Sequence, residues 1–238
     1  MKIPLISIIV PIGPHEENWA QLLMDLSFLL DGSTDGRPLA EIVLCHCEND
    51  SSIFEKFISE KKWGSLIRPV HSEKGRGKQL NEGAKKGRGK FLWFLHADSR
   101  LERSDFLKLQ VGLGDYPNRL HYFNLAFLKD GPSLMPLNTF GARIRSDILG
   151  VPFGDQGFCL SKELFWSLNG FRENGEKIGG EDHLFIWEAR KKGLKLLNCH
   201  GTIFTSSRKY KEKGWLKTTL HHLFLTAKVA FPQWVQRL

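Results

Sequence analysis

The stretch Phe91-Leu92-Trp93-Phe94-Leu95-His96-Ala97-Asp98 decides the fold of this chain. Its first five residues are all apolar, and a continuous apolar run of this length predicts a strand buried on both faces, as in a parallel sheet. Open α/β sheets bind ligands at the carboxyl ends of such strands. An aspartate in that place is suited to hold a divalent cation against a phosphate, because hard cations take oxygen ligands. The alternative is a strand that simply ends in a polar turn.

Strand-like and helical segments alternate on the amino-terminal side of this stretch. Apolar runs predict strands at 5–10, 41–45, 66–71 and 91–95. Helical spacing predicts helices at 19–30 and 53–58, with a glycine-rich basic loop and a short helix inside 75–90. This alternation indicates a parallel α/β half.

The carboxyl-terminal part is less regular. Residues 130–155 are rich in Gly, Pro and Asp and predict a long loop. The other predicted elements are a helix capped by Ser104 and running to about 113, a strand at 121–128, helices that start at Ser161 and Glu181, strands near 194–199 and 202–206, and a final helix from about 213.

Composition and charge indicate a soluble globular protein with a basic end. A chain of 238 residues with 41% hydrophobic and 25% charged residues buries one large core or at most two small ones. It has no apolar run near the ~20 residues of a membrane span and no signal-peptide pattern, so we expect a cytoplasmic protein. The net charge is +8, and residues 185–238 hold 11 Lys/Arg against 2 Asp/Glu. This excess indicates a nucleic acid, an anionic membrane surface or a phosphorylated substrate as neighbour, or in part a solvated helix face.

The four cysteines, Cys45, Cys47, Cys159 and Cys199, form no CxxC pair. A zinc site of Cys45-His46-Cys47 with Cys199-His200 would match no standard spacing. We therefore expect buried free thiols in a reducing compartment.

Two basic glycine motifs, Gly75-Arg76-Gly77-Lys78 and Gly87-Arg88-Gly89-Lys90, flank the short helix. The first is not a Walker A loop, because Ser72 and Gln79 stand where that loop needs Gly and Ser or Thr. Arg76 and Lys78 are suited to neutralise a diphosphate in a folded loop. An RGG-type nucleic-acid segment is the alternative.

Three further motifs carry polar side chains next to predicted strands or helices. The glycines of Gly154-Asp155-Gln156-Gly157 allow close approach of backbone to a ligand, or form a plain tight turn. Gly179-Gly180-Glu181-Asp182 places two carboxylates at a helix start, where they either complement the helix dipole or supply a general base. Arginine in Ser206-Ser207-Arg208-Lys209-Tyr210 either clamps a pyrophosphate or is surface charge.

In this order and spacing, these pieces resemble the family 2 glycosyltransferases, which have a GT-A fold. The resemblance is closest to a bacterial branch associated with radical-SAM/selenodomain gene clusters, and it covers nearly the whole chain. The segments that carry it are 6–11, 75–81, 94–98, 154–157, 180–182 and 207–210. It implies a three-layer α/β/α sandwich with a mostly parallel central sheet in one domain. That domain would comprise a nucleotide-sugar-binding half (1–98), an acceptor half (99–210) and a C-terminal helix (211–238).

The resemblance also implies roles for individual residues. Asp98 resembles the last acid of the DxD motif, which binds Mg²⁺ or Mn²⁺ and the donor diphosphate. Asp182 resembles the catalytic base of the Glu-Asp motif, with Glu181 in support. Such enzymes invert the anomeric centre by direct displacement from a nucleotide-diphosphate sugar. The remaining expected donor-binding residues are Pro11, Glu48, Asp50, Arg76, Lys78, Gln79, Asn81, Asp155, Gln156 and Arg208.

Three departures from the family pattern affect this interpretation. His96 replaces the first acid of the DxD motif, and Pro11-Ile12-Gly13-Pro14-His15 replaces the usual Pro-x-x-Asn-Glu. The family's nucleotide-base loop is matched by 31–36, but this stretch precedes the second strand instead of following it. We therefore interpret 31–36 as an unrelated turn and expect Glu48 or Asp50 to contact the base.

Two other classes of function fit parts of the pattern. A sugar nucleotidyltransferase would carry its Gly/Arg/Lys loop just after the first strand, where residues 11–18 contain no lysine or arginine. A non-catalytic protein could bind RNA or membrane through the basic end, but adjacent acids at 181–182 suit a polyanion surface poorly, and we expect no nucleic acid.

The residue pattern of the last helix predicts one of two arrangements. Its apolar side either packs on the sheet or docks on the anionic inner face of a membrane, where a lipid-linked acceptor is one option. Its apolar side is marked by Trp215, Leu216, Leu220, Leu223, Phe224, Ala227 and Phe231, and its lysines are Lys211, Lys213, Lys217 and Lys228.

Overall fold

The computed structural model describes residues 5–30, 38–61, 63–173 and 180–235, with side chains described up to residue 227. Its strands are β1 (Ile6–Ile12), β2 (Ala40–His46), β3 (Ile67–His71), β4 (Phe91–Phe94), β5 (Leu120–Phe127), β6 (Cys159–Ser161) and β7 (Leu196–Thr205). Its α-helices are α1 (Trp19–Asp25), α2 (Ser52–Glu60), α3 (Arg76–Lys86), α4 (Arg103–Asp115), α5 (Met135–Arg143), α6 (Lys162–Ser167), α7 (Glu181–Lys191), α8 (Arg208–Lys213) and α9 (Trp215–Val235).

The strands form one sheet in the order β3-β2-β1-β4-β6-β5-β7. Neighbouring strands are parallel except that β6 runs antiparallel to both β4 and β5. The predicted alternation of strand and helix before residue 98 is confirmed. It arises because β1, β2 and β4 are apolar runs buried on both faces, as parallel strands between helices require.

Helices cover both faces of the sheet and make three layers. One face, which includes Ile8 and Trp93, packs against α1, α2 and α4. The other face, which includes Ile9 and Phe94, packs against α3, α6 and α7. The alternation of successive side chains across a strand sends neighbouring residues of β1 and β4 into opposite layers. The expected α/β/α sandwich with a mostly parallel sheet is confirmed.

Several predictions for the second half are wrong. Residues 130–155 are not a long loop, because α5 and a π-helical turn (Ile144–Ile148) lie inside them. The Gly and Pro content hid apolar residues at helical spacing, and Pro136 stands in the first turn, where a missing N–H costs nothing. The two predicted strands at 194–199 and 202–206 are the single strand β7, which carries an irregularity opposite Tyr122–Asn124.

Helix starts also differ from those predicted. The basic glycine motif at 75–78 is the beginning of α3 instead of a loop. The cap of α4 is Glu102, which forms a reciprocal capping box with Asp105, and not Ser104. Ser161 does cap α6, since its Oγ accepts the N–H of Leu164. The turn at 31–36 lies outside the described residues.

All four cysteines are free thiols, as expected, and Cys45, Cys159 and Cys199 are buried. Cys45 on β2 and Cys199 on β7 lie on strands separated by four others, so the zinc set that can be drawn from the sequence is not assembled. No helix in the described part of the chain has the length and apolar content to cross a bilayer.

Candidate active site

Polar side chains from four separate segments meet at the edge of the sheet where β4 ends. His96 and Asp98 directly follow β4, and Arg76 is the first residue of α3. Because β6 is antiparallel to β4, the 3₁₀ turn Gly154–Gln156 just before β6 lies at the same edge. The first residues of α7, Glu181 and Asp182, complete the cluster through their contacts with Arg76 and Gly154.

Arg76 forms ion pairs with both acids of α7. Its Nε lies 3.0 Å from Glu181 Oε1, and its Nη2 lies 3.3 Å from Asp182 Oδ2. The two carboxylate side chains are only 11% and 12% exposed, whereas Arg76 is 36% exposed. Burial lowers the pKa of Arg76, but Asp182 and Glu181 outweigh this effect and raise that pKa above its usual value. The guanidinium therefore stays charged near pH 7, and its side chain is partly exposed.

Backbone amides also hold the Asp182 carboxylate. The N–H of Gly154 donates to its Oδ2 at 2.8 Å, and the N–H of His183 donates to its Oδ1 at 3.0 Å. A glycine is needed at 154, since a Cβ there would lie 3.0 Å from Asp182 Oδ2 and 3.2 Å from its Cβ. Burial raises the pKa of Asp182, but Arg76, His183 and these amides together bring that pKa below its ordinary range.

Asp155 and Arg145 are a second pair of buried charged residues in the same cluster, and each influences the pKa of the other electrostatically. Burial raises the pKa of Asp155 to about 6, with Arg145 opposing the shift and Asp182 adding to it. Burial lowers the pKa of Arg145 to about 10. Its guanidinium stacks 3.1 Å from the centre of the Phe153 ring, and its Nη2 donates to Gln156 Oε1 at 3.0 Å. Within the described residues, the buried Oδ1 of Asp155 and Nε of Arg145 have no hydrogen-bond partner.

Gln156 fixes the orientation of this pair. Its Oε1 also accepts from Ser146 Oγ at 2.8 Å and from the N–H of Phe153 at 3.0 Å. Its Nε2 donates to the carbonyl of Phe123 on β5 at 2.8 Å. Gln156 therefore ties the turn before β6 to the segment that carries Arg145.

His96 and Asp98 occupy the place of the expected metal motif. Burial, together with Arg76, lowers the pKa of His96 to about 3, so the ring is neutral near pH 7. Thr205 Oγ1 at the end of β7 donates to Asp98 Oδ2 at 3.2 Å. Burial raises the pKa of Asp98, and Glu16 adds to this shift. The described residues contain no group of three or more His, Cys, Asp or Glu arranged to hold a metal ion by themselves.

Two of the expected donor-binding residues, Gln79 and Asn81, bind backbone groups of neighbouring elements through their side-chain amides. Gln79 is 4% exposed, and its Nε2 donates to the carbonyls of Ile12 and Cys45 at 2.7 Å each. Asn81 exchanges hydrogen bonds with the backbone of Phe171, at 2.8 and 2.9 Å. Their hydrogen bonds join α3 to the ends of β1 and β2 and to the loop after α6, which positions Arg76 at the start of α3.

The other expected donor-binding residues lie around this centre. Pro11 stands opposite Cys45 near the end of β1. Glu48 and Asp50 are exposed after β2, and Asp50 accepts the N–H and Oγ of Ser52 at the start of α2.

Lys78 and Arg208 each pair with a nearby acid. Lys78 pairs with Glu73 at 2.6 Å and lines a separate surface cavity. Arg208 lies 3.8 Å from Glu16, the residue that also influences Asp98, and 3.9 Å from Glu212. The roles of these residues toward a donor stay predictions.

Sequence reasoning missed Arg145 and His183 as members of the site. Arg145 fell inside the stretch predicted to be a loop. The signal that could have found it is the helical spacing of Leu137, Phe140, Ile144 and Ile148, which continues through it.

Glycosyltransferases are among the solved structures that share this architecture. GalNAc-T7 in complex with UDP, GalNAc and Mn²⁺ matches 86% of this chain with a TM-score of 0.62 and 16% identity. S. aureus TarS matches 84% with a TM-score of 0.62 and 17% identity. The mannosyltransferase PcManGT from Pyrobaculum calidifontis, in complex with GDP-Man and Mn²⁺, matches 84% with a TM-score of 0.60 and 16% identity. This chain has the GT-A glycosyltransferase fold.

The GT-A likeness is one of fold. The chain spans 44%, 36% and 57% of the lengths of GalNAc-T7, TarS and PcManGT. No protein-family model and no curated protein sequence matches it. Activity, substrates and the radical-SAM-associated branch therefore stay proposals for this GT-A chain.

Proposed function

We propose that this protein is a glycosyltransferase that moves a sugar from a nucleotide-diphosphate sugar to an acceptor hydroxyl, with inversion at the anomeric carbon. The observation that carries the proposal is that Asp98, Arg76 and Asp182 all lie around Asp155 at the carboxyl edge of a GT-A sheet, since each of them influences its carboxyl group. The structures of similar fold hold UDP with GalNAc and Mn²⁺, or GDP-Man and Mn²⁺. A family 2-like enzyme of this kind would use the same edge for donor and acceptor.

Asp98 is the residue that would hold Mg²⁺ or Mn²⁺. A carboxylate whose pKa is raised by burial gains from a nearby cation, and Mg²⁺ is usually bound by one or two carboxylates together with substrate phosphates. The described residues do not form a metal cage of their own, which fits an ion held jointly by Asp98 and the donor diphosphate. The ion, when bound, neutralises charge on the departing nucleoside diphosphate.

Asp182 is the residue that would take the acceptor proton. The acceptor oxygen forms a bond to the anomeric carbon while its proton passes to the Asp182 carboxylate, and the bond from that carbon to the diphosphate oxygen breaks. Paired with Arg76, Asp182 is ionised but weakly basic, because its pKa lies below the usual range. A donor diphosphate offers Arg76 a bidentate partner. Movement of Arg76 to the diphosphate would raise the pKa of Asp182 at the moment a base is needed.

Two substitutions test these roles. Asp182→Asn keeps the shape but cannot take a proton, so turnover should fall ~10²–10⁴-fold while nucleoside diphosphate binding is retained. Asp98→Ala should abolish Mn²⁺-dependent nucleoside diphosphate binding in calorimetry while the melting temperature is retained. Asp115→Asn, an exposed acid at the end of α4, is the matched control. Near-normal turnover of Asp182→Asn with an identified acceptor would reassign the base, and unchanged calorimetric affinity of Asp98→Ala would remove its metal role.

We also propose that α9 docks the enzyme on an anionic membrane surface. The alternative that its apolar side packs on the sheet is wrong for Leu216, Leu220, Leu223 and Phe224, which are 55–65% exposed. Thr218 of the same helix is instead buried. A helix that turns apolar residues outward beside the exposed Lys211, Lys213 and Lys217 has the composition of an interfacial helix.

A further inference from the structure

A cavity of about 450 Å³ opens beside Asp155, between β5, α5 and α9. This volume is in the range of small-molecule binding sites. The walls are apolar along most of their surface and are formed by Leu125, Phe127, Leu137, Gly141, Leu149 and Leu223. Neither the diphosphate chemistry of Asp98 nor the proton transfer at Asp182 uses this space.

The polar residues of the cavity form one cluster that joins the candidate active site. Arg145, Asp155, Tyr210 and His222 all line it, and the Tyr210 hydroxyl lies 3.2 Å from His222 Nδ1. In the described part of the chain, the buried Nε–H of Arg145 lacks an acceptor and the buried Oδ1 of Asp155 lacks a donor. Since buried polar atoms are normally hydrogen-bonded, these two atoms indicate a ligand that offers an oxygen acceptor and a hydroxyl.

The surface around the cavity is apolar as well. The two helical segments that form its sides carry exposed large apolar side chains, and four of these, Leu137, Ile144, Leu149 and Leu223, also line the cavity. The apolar surface is therefore continuous from outside to inside. Exposed apolar surface of this extent marks an interaction site.

We propose that the cavity binds the hydrocarbon chain of a lipid acceptor whose head carries a phosphate oxygen and a hydroxyl. The chain would lie against the apolar walls, the phosphate oxygen would accept the Nε–H of Arg145, and a hydroxyl of the head other than the one that reacts at Asp182 would donate to Oδ1 of Asp155. Lys211 lines a neighbouring surface depression together with Tyr210 and Trp215 of the cavity wall, and Lys213 and Lys217 are exposed close to it in the chain. Their positive charge complements an anionic head group, which favours a lipid over an apolar peptide. This inference rests on the proposed glycosyltransferase function and names the substrate class of the same site.

The probe is 12:0 lysophosphatidylglycerol, a single-chain lipid with a phosphate and head-group hydroxyls, titrated into the full chain below its critical micelle concentration. Glycerol phosphate supplies a phosphate and hydroxyls without the chain, and 12:0 lysophosphatidylcholine keeps the chain, the phosphate and the glycerol sn-2 hydroxyl but lacks the head-group hydroxyls. We expect glycerol phosphate to bind at least 100-fold more weakly than lysophosphatidylglycerol, and lysophosphatidylcholine at least fivefold more weakly.

Gly141→Phe is designed to fill the cavity. Gly141 lies on α5 and lines the cavity, and a Cβ there meets nothing within 4 Å, so the larger side chain has room to enter. Gly114→Phe on α4 is the matched control, because its Cβ also meets nothing within 4 Å and it is exposed. Gly141→Phe should weaken lysophosphatidylglycerol binding at least tenfold, and Gly114→Phe should leave it unchanged. Leu223→Asp, at an exposed lining position, is the second variant and should have the same effect as Gly141→Phe.

Each arm has an outcome that would overturn the inference. Equal affinity for lysophosphatidylglycerol and glycerol phosphate would remove the chain site, and wild-type affinity in both Gly141→Phe and Leu223→Asp would move it elsewhere. A dimer in sedimentation velocity that Gly141→Phe dissociates would assign the apolar surface to a second copy of this chain. Nucleoside diphosphate affinity with Mn²⁺, measured on the same samples, should not change in Gly141→Phe. If the wild type does not bind nucleoside diphosphate with Mn²⁺, the proposed glycosyltransferase function is contradicted. This outcome is distinguishable from a failure of the lipid-site inference, which changes only lipid binding.

Discussion

The guanidinium of Arg76 lies within 3.3 Å of both Glu181 and Asp182, at the point where a donor diphosphate would enter. An arginine in such a place can pair with carboxylates or with phosphates. The same cation lowers the pKa of His96 and opposes the burial effect on Asp182. The protonation states of the site therefore depend on where this one side chain is bound.

Replacing Arg76 should expose this dependence. In Arg76→Gln, burial remains and the cation is lost, so we expect the pKa of Asp182 to rise from its lowered value. The acid limb of the kcat/KM profile reports a base in the free enzyme, and it should move to higher pH. Lys85→Gln, which removes an equal charge from the Glu82 pair on the same helix, should leave the limb in place. If the normalised pH profiles of kcat/KM for Arg76→Gln and wild type coincide, Arg76 does not control the pKa of Asp182, even if donor affinity is reduced.

Residue patterns predicted part of the site for a physical reason. The positions of Asp98 and Asp182 were foreseeable, because each is tied to a local signal, the end of a buried strand and the start of a helix, and their roles stay proposals. Helical spacing extends through Arg145, but its hydrogen bond to Gln156 depends on where the π-helical turn after α5 lies relative to the turn before β6, and that long-range placement has no local signal in the sequence. Likewise, the amide of Gln79 could be assigned to Ile12 and Cys45 only once the strand ends were in place.

At the scale of elements, the buried carboxylate of Glu41 connects four parts of the sheet. On β2, it accepts from Ser7 Oγ of β1 at 2.7 Å, from Arg68 Nη2 of β3 at 3.1 Å and from Arg88 Nε before β4 at 2.9 Å. The second basic glycine motif therefore supplies a structural arginine, whereas the first supplies Arg76. Burial raises the pKa of Glu41, but Arg88, Ser7 and Arg68 hold that pKa below 4.5.

Glu41→Gln should destabilise the fold by roughly 3 kcal/mol at pH 7, the lower end for breaking a buried pair, because both arginines are partly exposed. The folded pKa is depressed, so the charged form stabilises the protein above pH ~4.5, and this contribution is lost as pH falls through the folded pKa. The difference in unfolding free energy between wild type and Glu41→Gln should therefore shrink below pH ~4.5 in urea titrations. Glu60→Gln at an exposed position is the control, and a pH-independent difference would show that packing, not charge, is responsible.

Helix α3 lies against the sheet through Gly83. A Cβ there would overlap Ile9 Cγ2 and Cys45 Sγ, so Gly83→Ala should lower the free energy of unfolding by about 1–3 kcal/mol. Gly114→Ala on α4 meets nothing within 4 Å and should instead stabilise by about 0.5–1 kcal/mol, as alanine does in a helix. Denaturation curves of the two variants check this contact, because their changes in unfolding free energy should have opposite signs. Changes of the same sign would mean that α3 can shift away from the sheet.

Element prediction succeeded where burial was two-sided and failed where chain continuity depended on distant contacts. The strands β1, β2 and β4 are short continuous apolar runs, and a central strand buried on both faces is one of the few elements that can bury such a run completely. The joining of 194–199 and 202–206 into β7 was hidden, because His200 adopts φ 57° and Gly201 follows it, which reads locally as a turn. Pairing with β5 carries the strand through that irregularity, and the sequence of β7 alone contains no sign of its partner.

For the whole molecule, charge and exposed apolar surface coincide on the α9 side. Lys211, Lys213 and Lys217 are exposed next to the outward apolar side of α9, and each basic residue near an anionic surface contributes about 1 kcal/mol. Burial lowers the pKa of His222 to about 4, so it adds no charge near pH 7. Docking would thus combine a salt-sensitive attraction with apolar burial, whereas packing between protein copies would be less sensitive to salt.

Flotation with phosphatidylglycerol vesicles tests this docking. The wild type should float at low salt and float less in 1 M salt, where the Debye length falls to about 3 Å. Leu220→Glu/Phe224→Glu, one turn apart on the exposed side of α9, should stay at the bottom of the gradient. Leu107→Glu/Val111→Glu, an equally spaced pair on α4 that is 50% and 63% exposed, should float like the wild type. Failure of the wild type to float at low salt would remove membrane docking, and equal loss in both double variants would show that added negative charge alone prevents binding.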